Sequence, residues 1–194
     1  VVPSNVMDTW ADYLSDKVAP NGKQVGYFKK NLAPKVLIVS DAKDMKRLKT
    51  EVFDYVVISQ EMLPGKAYGE ALQNVDFDMM IVDEVHMIKN IQSGVRSDSV
   101  LSLANNINGK DKYLTLLSGT PIPNKVSDIA VPLKLLYPEK YADFTNTEMV
   151  NRILYGDLVD LRSELLMRMQ MKELTTSIEM PEHKEIDVEI VLSP

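Results

Sequence analysis

The chain has 194 residues, and its 22 Lys and Arg against 28 Asp and Glu give a formal net charge of −6. This acidic balance excludes a chain that coats nucleic acid by bulk positive charge, so any contact with nucleic acid must be local. The composition is that of an ordinary globular domain. The absence of cysteine excludes disulfides, thiolate zinc sites and cysteine nucleophiles, and no apolar run approaches the roughly 18 residues that cross a bilayer.

The first half of the chain alternates short β-rich runs with helical patterns, which is typical of a parallel sheet flanked by helices. Val1-Val2 predicts the end of a strand, and a helix follows whose apolar residues recur every four positions, with Ser4 or Asn5 as its cap. Asp41 is placed to cap a short charged helix. The predicted strands here are 35–40, 54–59 and 78–82, and the predicted helices are 6–14, 42–49 and 67–73.

The second half continues the alternation less regularly. Pro132 falls inside a predicted helix at 127–136 and is expected to kink it, because proline cannot donate an interior helical hydrogen bond. Polar and apolar residues alternate from Glu185 to Leu192, which predicts a strand with one exposed face. The other predicted elements are helices at 95–106 and 157–171 and a strand at 113–117. The predicted fold class is therefore α/β.

The most informative tract is the apolar strand 79–82, which ends in Asp83-Glu84-Val85-His86. Carboxylates at the carboxyl edge of a parallel sheet lie where open α/β folds bind their ligands. Asp83 is the candidate to hold Mg²⁺ through water, and Glu84 to orient or deprotonate the water that attacks a γ-phosphate. Successive strand residues point to opposite faces, so both can serve one nucleotide only if the strand ends here. The alternative is an exposed acidic strand end beside a solvated His86.

The strand at 113–117 ends in small hydroxyl residues, Ser118-Gly119-Thr120. The carboxyl ends of parallel strands meet at one edge of a sheet. We therefore expect Ser118 and Thr120 to hydrogen-bond to the carboxylates or to His86, and Gly119 to let the backbone approach closely. In isolation, a Ser-Gly-Thr-Pro run indicates only a turn.

In order and spacing, these tracts resemble the first RecA-like lobe of a superfamily 2 helicase-type ATPase of the Swi/Snf kind. Val1 to Ser4 with Trp10 resembles the motif Ia segment of that family. Asp83 to His86, followed by Ile88-Lys89-Asn90, resembles its Walker B motif with the characteristic I-K-N tail. Residues 118–124 resemble motif III.

The resemblance extends to the strand and loop at 54–63 and to residues 165–194, which resemble the segment that leads into the second lobe of the family. The chain also departs from the family pattern. Gln60-Glu61 stands where the family usually has Tyr-Glu, Pro123 stands for Gln in motif III, and Met167 replaces one of two usual arginines.

The resemblance implies a RecA-like parallel sheet in a lobe spanning 1–180, with 181–194 as a connecting strand toward a second RecA-like lobe. It implies ATP and Mg²⁺ as cofactors, double-stranded DNA as a partner held by its phosphate backbone, and an ATP-driven translocase in the cytoplasm or nucleus without membrane contact. The implied residues are Asp83, Glu84 and His86 for catalysis, Ser118, Gly119 and Thr120 for motif III coupling, and Ser4, Asn5, Ser59 and Gln60 for nucleic-acid binding.

The sequence contains no Walker A motif, G-x-x-x-x-G-K-[ST], whose backbone N–H groups and lysine hold the phosphates. The family has this segment just before the part matched by Val1 to Ser4, so we expect a lobe that is truncated there and incomplete at its N-terminus. The alternative is a degenerate ATPase. The resemblance further implies a Walker A strand between the strands ending at Asp83 and Ser118, so direct pairing of those two strands would defeat the truncation account and favour the degenerate alternative.

Two other functions stay open on the sequence alone. One is a helicase of another DExH branch, such as a restriction-enzyme motor subunit, and the other is an inactive lobe kept as a binding scaffold. A cluster of positive charges in the helix predicted at 42–49 fits a solvated helix face better than a DNA groove. Its members are Lys43, Lys46, Arg47 and Lys49.

Overall fold

The computed structural model describes residues 1–30, 32–88, 95–107, 113–120, 124, 126–141, 147–148, 151 and 155. All of them belong to one compact unit, Val1–Leu158. The helix predicted at 157–171 and the strand predicted at 185–192 lie outside the described residues, so the division into 1–180 and 181–194 stays a prediction. Within the described part of the chain, no helix is long and apolar enough to span a membrane.

Helices and short parallel strands alternate along the described chain, as the sequence predicted. The strands are β1 (Val36–Ile38), β2 (Tyr55–Val57), β3 (Met79–Val82) and β4 (Tyr113–Leu116). The helices are α1 (Met7–Tyr13), α2 (Asp44–Arg47), α3 (Lys66–Gln73), α4 (Val95–Ile107), α5 (Ala130–Leu136) and α6 (Pro138–Tyr141). Short 3₁₀ turns occur at Ser4–Val6, Val85–Met87 and Val126–Ile129.

The first two residues of the chain join two pairs of parallel strands, β1 with β2 and β3 with β4. The Val2 N–H donates to the Ile58 carbonyl at 3.0 Å, and the Val2 carbonyl accepts from the Gln60 N–H at 2.8 Å. On the other side, the Val1 amine donates to the Ile81 carbonyl at 2.7 Å. Val1-Val2 therefore lies between the ends of β2 and β3, as a strand tail in the middle of the sheet.

β3 and β4 pair directly, with Met79 beside Tyr113 and Val82 beside Leu116. The expectation that a further strand separates them is wrong, because a continuous ladder leaves no room for one. By itself this result favours the degenerate ATPase. That inference holds only if a Walker A strand must lie between β3 and β4. In the described residues, the outer edge of β4 pairs with no strand. A Walker A strand could therefore pair with β4 on that side instead.

The hydrophobic core lies around the strands, and α3 and α4 contribute to it. β3 places Met80 and Val82 inside, whereas Met79 at its start is 47% exposed. Burying an aliphatic side chain of this size contributes about 1.5–3 kcal/mol, so a few such residues outweigh any single surface contact. The buried residues of α4 that belong to the same cluster are Val100, Leu103, Ala104 and Ile107.

The helix starts differ from the predictions in three places. Ser4 and Asn5 do not cap α1, since no side chain caps either the 3₁₀ turn or the helix that follows. Asp41 is not the N-cap of α2, which is Lys43 without a side-chain cap, but its Oδ1 accepts from the Lys43 N–H at 2.6 Å and from the Asp44 N–H at 3.3 Å just before the helix. α5 begins only two residues before Pro132, so this proline lies in the first turn, where its missing N–H costs no helical hydrogen bond. Pro132 therefore gives no reason to expect a kink in α5.

The position of Val1 predicts a pH-dependent stability for a chain that begins there. Burial of its amine lowers the pKa from 8.0 to about 5, and the Asp83 carboxylate offsets this in part. The unfolded chain therefore binds this proton more tightly than the folded chain. We expect the free energy of unfolding to fall as the pH drops from 8 to 5, by an amount on the order of a few kcal/mol. Urea denaturation at a series of pH values measures this change.

The matched control is the same chain with two residues added before Val1, which moves the charged amine out of the sheet. We expect the added residues to remove the extra pH dependence and leave the rest unchanged. Identical pH profiles for the two chains would contradict the placement of Val1 inside the sheet.

Candidate nucleotide site

Asp83 follows β3 directly, and all four of its polar atoms are hydrogen-bonded. Its N–H donates to the Val1 carbonyl at 2.9 Å, and its own carbonyl accepts from Gln60 Nε2 at 2.6 Å. Of the carboxylate oxygens, Oδ1 accepts from the Glu84 N–H at 2.9 Å and Oδ2 accepts from Trp10 Nε1 at 2.8 Å. These bonds hold the carboxylate in one orientation at the end of the strand.

Glu84 adopts a left-handed backbone conformation, with φ 47° and ψ 47°. This conformation costs a residue with a side chain roughly 1–2 kcal/mol, so the contacts around it must hold it in place. The strand ends at Val82, and the chain turns at Asp83 and Glu84 into the 3₁₀ turn Val85–Met87. The sequence predicted that both carboxylates could serve one nucleotide only if the strand ended here, and it does end here.

His86 connects the turn after β3 to the end of β4. Its Nδ1 lies 2.9 Å from Ser118 Oγ and 3.0 Å from Glu84 Oε2. The Ser118 hydroxyl oxygen also accepts from the Thr120 N–H at 3.1 Å. The structure therefore brings Glu84, His86 and Ser118 together at one edge of the sheet, as their sequence positions predicted. The Thr120 side chain is exposed, and it contributes its backbone N–H instead.

One oxygen of Glu84 is left without a donor. Oε2 is buried and receives no hydrogen bond from the described residues. It lies 3.0 Å from His86 Nδ1, and the two groups form an ion pair when the imidazole is protonated. A buried carboxylate oxygen without a donor is costly, and a bound water molecule or a protonated His86 would remove that cost.

The carboxylates fit a magnesium ion that is bound mainly through water and phosphate. In the described ranges, no group of three or more His, Cys, Asp and Glu side chains could hold a metal ion. Mg²⁺ in nucleotide enzymes takes only one or two protein carboxylates and completes its shell with water and phosphate oxygens. Asp83, with its fixed orientation, is therefore a suitable ligand, directly or through water.

The four predicted nucleic-acid residues lie in two different environments. Ser4 and Asn5 are exposed in the 3₁₀ turn before α1. Ser59 and Gln60 are buried, with 1% and 0% of their surfaces exposed, so in this fold their side chains do not reach a nucleic acid. Their assignment is corrected to a structural one: Ser59 Oγ accepts from the Met62 N–H at 3.1 Å, and Gln60 holds the end of β3.

Gly119 is exposed, and a methyl group added there would meet no atom within 4 Å in the part of the chain that the structure describes. The close backbone approach expected at this glycine is therefore not seen. Asn90 and Lys89 of the I-K-N tail, together with Pro121 to Pro123 of the second tract, lie outside the described residues.

Two contributors to the site were not predicted as such. Trp10 was expected only as an apolar helix residue and a family hallmark, and Gln60 as a contact for nucleic acid. The sequence does carry a signal for Trp10, because the N–H of a tryptophan in a packed helix usually needs an acceptor. It does not indicate which of the 28 acidic residues supplies that acceptor.

The chain matches the model of the SNF2-related domain over residues 1–193, so it belongs to that family. This confirms the Swi/Snf resemblance of its motifs.

The chain is similar to larger proteins of known description. It is 25% identical over 150 residues to the DNA annealing helicase and endonuclease ZRANB3 of Homo sapiens, covering 75% of the chain and 12% of that protein. It is 25% identical over 142 residues to the ATP-dependent helicase FUN30 of Saccharomyces cerevisiae, covering 73% of the chain and 11% of that protein. It is 30% identical over 138 residues to the uncharacterized ATP-dependent helicase YqhH of Bacillus subtilis, covering 71% of the chain and 20% of that protein.

The hydrogen bond between Trp10 and Asp83 predicts an energetic coupling between the two side chains. Trp10→Phe removes the N–H and keeps an aromatic ring, and Asp83→Asn removes the charge of the acceptor. A hydrogen bond to a charged group contributes about 1.5–3 kcal/mol, so we expect the two substitutions to be non-additive by roughly 1 kcal/mol or more. Urea denaturation of the wild type, both single variants and the double variant measures the coupling.

Asp78, an exposed carboxylate just before β3, provides the matched control. The pair Trp10→Phe and Asp78→Asn should be additive, since the two side chains share no contact. Additivity in the Trp10–Asp83 pair as well would show that the hydrogen bond contributes nothing.

Proposed function

We propose that this chain is the N-terminal, RecA-like lobe of an ATP-driven motor that moves on double-stranded DNA. The observation that carries the proposal is the meeting of Asp83, Glu84, His86 and Ser118 at the carboxyl edge of parallel strands. Membership of the SNF2-related family and similarity to ATP-dependent helicases support it.

The residues of the site divide the work of ATP hydrolysis. Bound Mg²⁺ supplies positive charge that neutralises the phosphate oxygens. Asp83 would hold the ion through water, with its carboxylate in the orientation that the Trp10 hydrogen bond sets. Glu84 orients the attacking water and accepts its proton, and its side chain is partly exposed at the edge of the sheet, where a water molecule can reach it.

His86 gives the site a connection to the rest of the lobe. It contacts both Glu84 and Ser118, so a shift of the residues after β4 changes the surroundings of the water-orienting carboxylate. We therefore propose that Ser118, Gly119 and Thr120 couple ATP hydrolysis to movement. In this proposal, His86 transmits the change in position between these residues and Glu84.

The DNA partner is proposed from the family and from the exposed start of α1. One relative is described as a DNA annealing helicase. Ser4 and Asn5 are exposed, and their hydroxyl and amide groups suit sequence-independent contacts to phosphates. A second RecA-like lobe is the proposed partner of this one, and activity on DNA would place the enzyme in the cytoplasm or nucleus.

A complete motor needs a phosphate-binding loop that this sequence lacks. The chain spans only 11–20% of the length of the relatives named above, so we propose that a segment outside the given sequence supplies the Walker A loop. The second candidate function is that of a degenerate lobe that acts as a binding scaffold. The missing Walker A motif and the direct pairing of β3 with β4 favour this second function.

The first prediction from this proposal concerns the 194-residue chain alone. Without a loop that binds the phosphates, the carboxylates have no substrate to act on, so we expect no ATP hydrolysis above background in a phosphate-release assay. Steady turnover by this chain that Glu84→Gln abolishes would contradict the need for an external loop.

The second prediction concerns the complete enzyme. Glu84→Gln keeps the shape of the side chain and removes the base, so we expect kcat for ATP to fall at least ~10²-fold while ATP binding is nearly unchanged. Equilibrium binding of a fluorescent nucleotide and steady-state ATPase assays measure the two quantities. Glu70→Gln, at an exposed glutamate of α3, is the matched control and should leave kcat within a few-fold of wild type. A Glu84→Gln enzyme equally close to wild type would remove Glu84 from the mechanism.

A further inference from the structure

The chain between α1 and β1 contains a hairpin that the proposed function does not use. An antiparallel bridge joins Val18 to Gln24, and the Gly22 N–H donates to the Ala19 carbonyl at 2.9 Å to close the turn. Gly22 has φ +80°, a conformation that a glycine adopts without strain and that commonly ends such a turn. We call residues 15–30 the lysine hairpin.

The lysine hairpin is fixed to the end of α1. Gly26 is buried, and a Cβ there would lie 1.9 Å from the Ser15 carbonyl oxygen, so only glycine allows this approach. The Tyr27 N–H donates to the Tyr13 carbonyl at 2.9 Å, and the two rings lie 5.3 Å apart. Gln24 Nε2 donates to the Gly26 carbonyl at 2.8 Å. The hairpin therefore presents its side chains on a braced backbone.

The charge of the lysine hairpin is opposite to that of the chain. Residues 15–30 contain four lysines and one aspartate, a net charge of +3 in a chain of −6. Lys17 forms an ion pair with Asp12 at 2.5 Å. Lys23, Lys29 and Lys30 are exposed and form no ion pair with the described residues. Three positive charges are thus available to an external anion.

An exposed aromatic ring accompanies these charges. Tyr27 is 80% exposed although its backbone is fixed, and Val18 across the hairpin is 53% exposed. Positive charge alone would suit any acidic partner. A fixed, exposed aromatic ring beside unpaired lysines is the combination with which proteins hold nucleic-acid strands, because lysines bind phosphates and the ring stacks on bases or sugars.

We propose that the lysine hairpin binds the phosphate backbone of a nucleic acid, with Lys23, Lys29 and Lys30 as phosphate ligands and Tyr27 as a stacking contact. Its position supports this assignment. α1 has seven residues, hence a length of about 10 Å, and it separates the hairpin from Ser4 and Asn5. That length matches roughly three base-pair rises of DNA, so a short duplex segment is long enough to extend from one end of α1 to the other. The identity of the nucleic acid as DNA rests on the proposed function.

The test measures duplex DNA binding by the complete enzyme, using fluorescence anisotropy over a range of salt concentrations. The first variant is the triple substitution Lys23→Ala, Lys29→Ala and Lys30→Ala. We expect its Kd to rise about tenfold or more, and the slope of log K against log salt to become shallower by about 2 to 3, since each lost phosphate contact contributes about 0.9. A Tyr27→Ala variant should bind more weakly than Tyr27→Phe, which keeps the ring.

The matched control removes three lysines from α2 and its flanks, as Lys43→Ala, Lys46→Ala and Lys49→Ala. These lysines are also exposed, so the loss of net charge is the same. We expect a change in Kd of less than twofold. Equal weakening by both triple variants would show that only bulk charge matters, and an unchanged Kd in the hairpin variants would overturn the proposal.

The outcomes separate this inference from the proposed function. If the wild-type enzyme binds duplex DNA and hydrolyses ATP but the hairpin variants bind as the wild type does, the inference fails and the proposed function stands. If the wild-type enzyme does not bind duplex DNA, the proposed function fails. Loss of binding to vesicles of anionic lipid, with DNA binding intact, would assign the hairpin to a membrane surface instead and overturn the proposal.

Discussion

The candidate site depends on the four hydrogen bonds of Asp83. One bond comes from each of four parts of the chain: the N-terminal segment, the loop after β2, helix α1 and the residue that follows. A carboxylate in water rotates freely, and ordering it costs conformational entropy before it can bind anything. In this fold, the four hydrogen bonds already hold the Asp83 carboxylate in one orientation. The same bonds fix the start of the turn in which Glu84 and His86 lie, so the packing of the sheet also sets the geometry of the candidate site.

The strained backbone at Glu84 has a clear physical role in this arrangement. In a regular strand, Asp83 and Glu84 would point to opposite faces of the sheet. The left-handed residue ends the strand and brings the second carboxylate beside His86 and Ser118. Strain of this kind persists only where surrounding contacts hold it, and it is common at functional sites. The contacts of His86 with both strand ends are of that kind.

The order of the elements could be predicted from the sequence, because hydrophobic periodicity and strand-end polar residues are local signals. The direct pairing of β3 with β4 could not, since strand order is decided by long-range packing that no local pattern encodes. The burial of Gln60 was missed for the same reason, because a polar residue after a strand usually indicates a surface loop. Only the folded structure shows that the Asp83 carbonyl accepts a hydrogen bond from the Gln60 amide. The meeting of Glu84, His86 and Ser118 was predictable, because parallel strands end at one edge of a sheet.

The central position of Val1 and Val2 has a consequence for how the chain folds. Their hydrogen-bond partners lie at residues 58 to 83, so the middle of the sheet closes only after more than eighty residues are available. Contacts between distant parts of a chain slow folding, because the loop must close before the contact stabilises it. During folding, the inner edges of β2 and β3 stay unpaired until Val1 and Val2 pair with them. Such edges are the sites at which partly folded chains associate with one another, so the pairing of Val1 and Val2 also protects the folding chain from association.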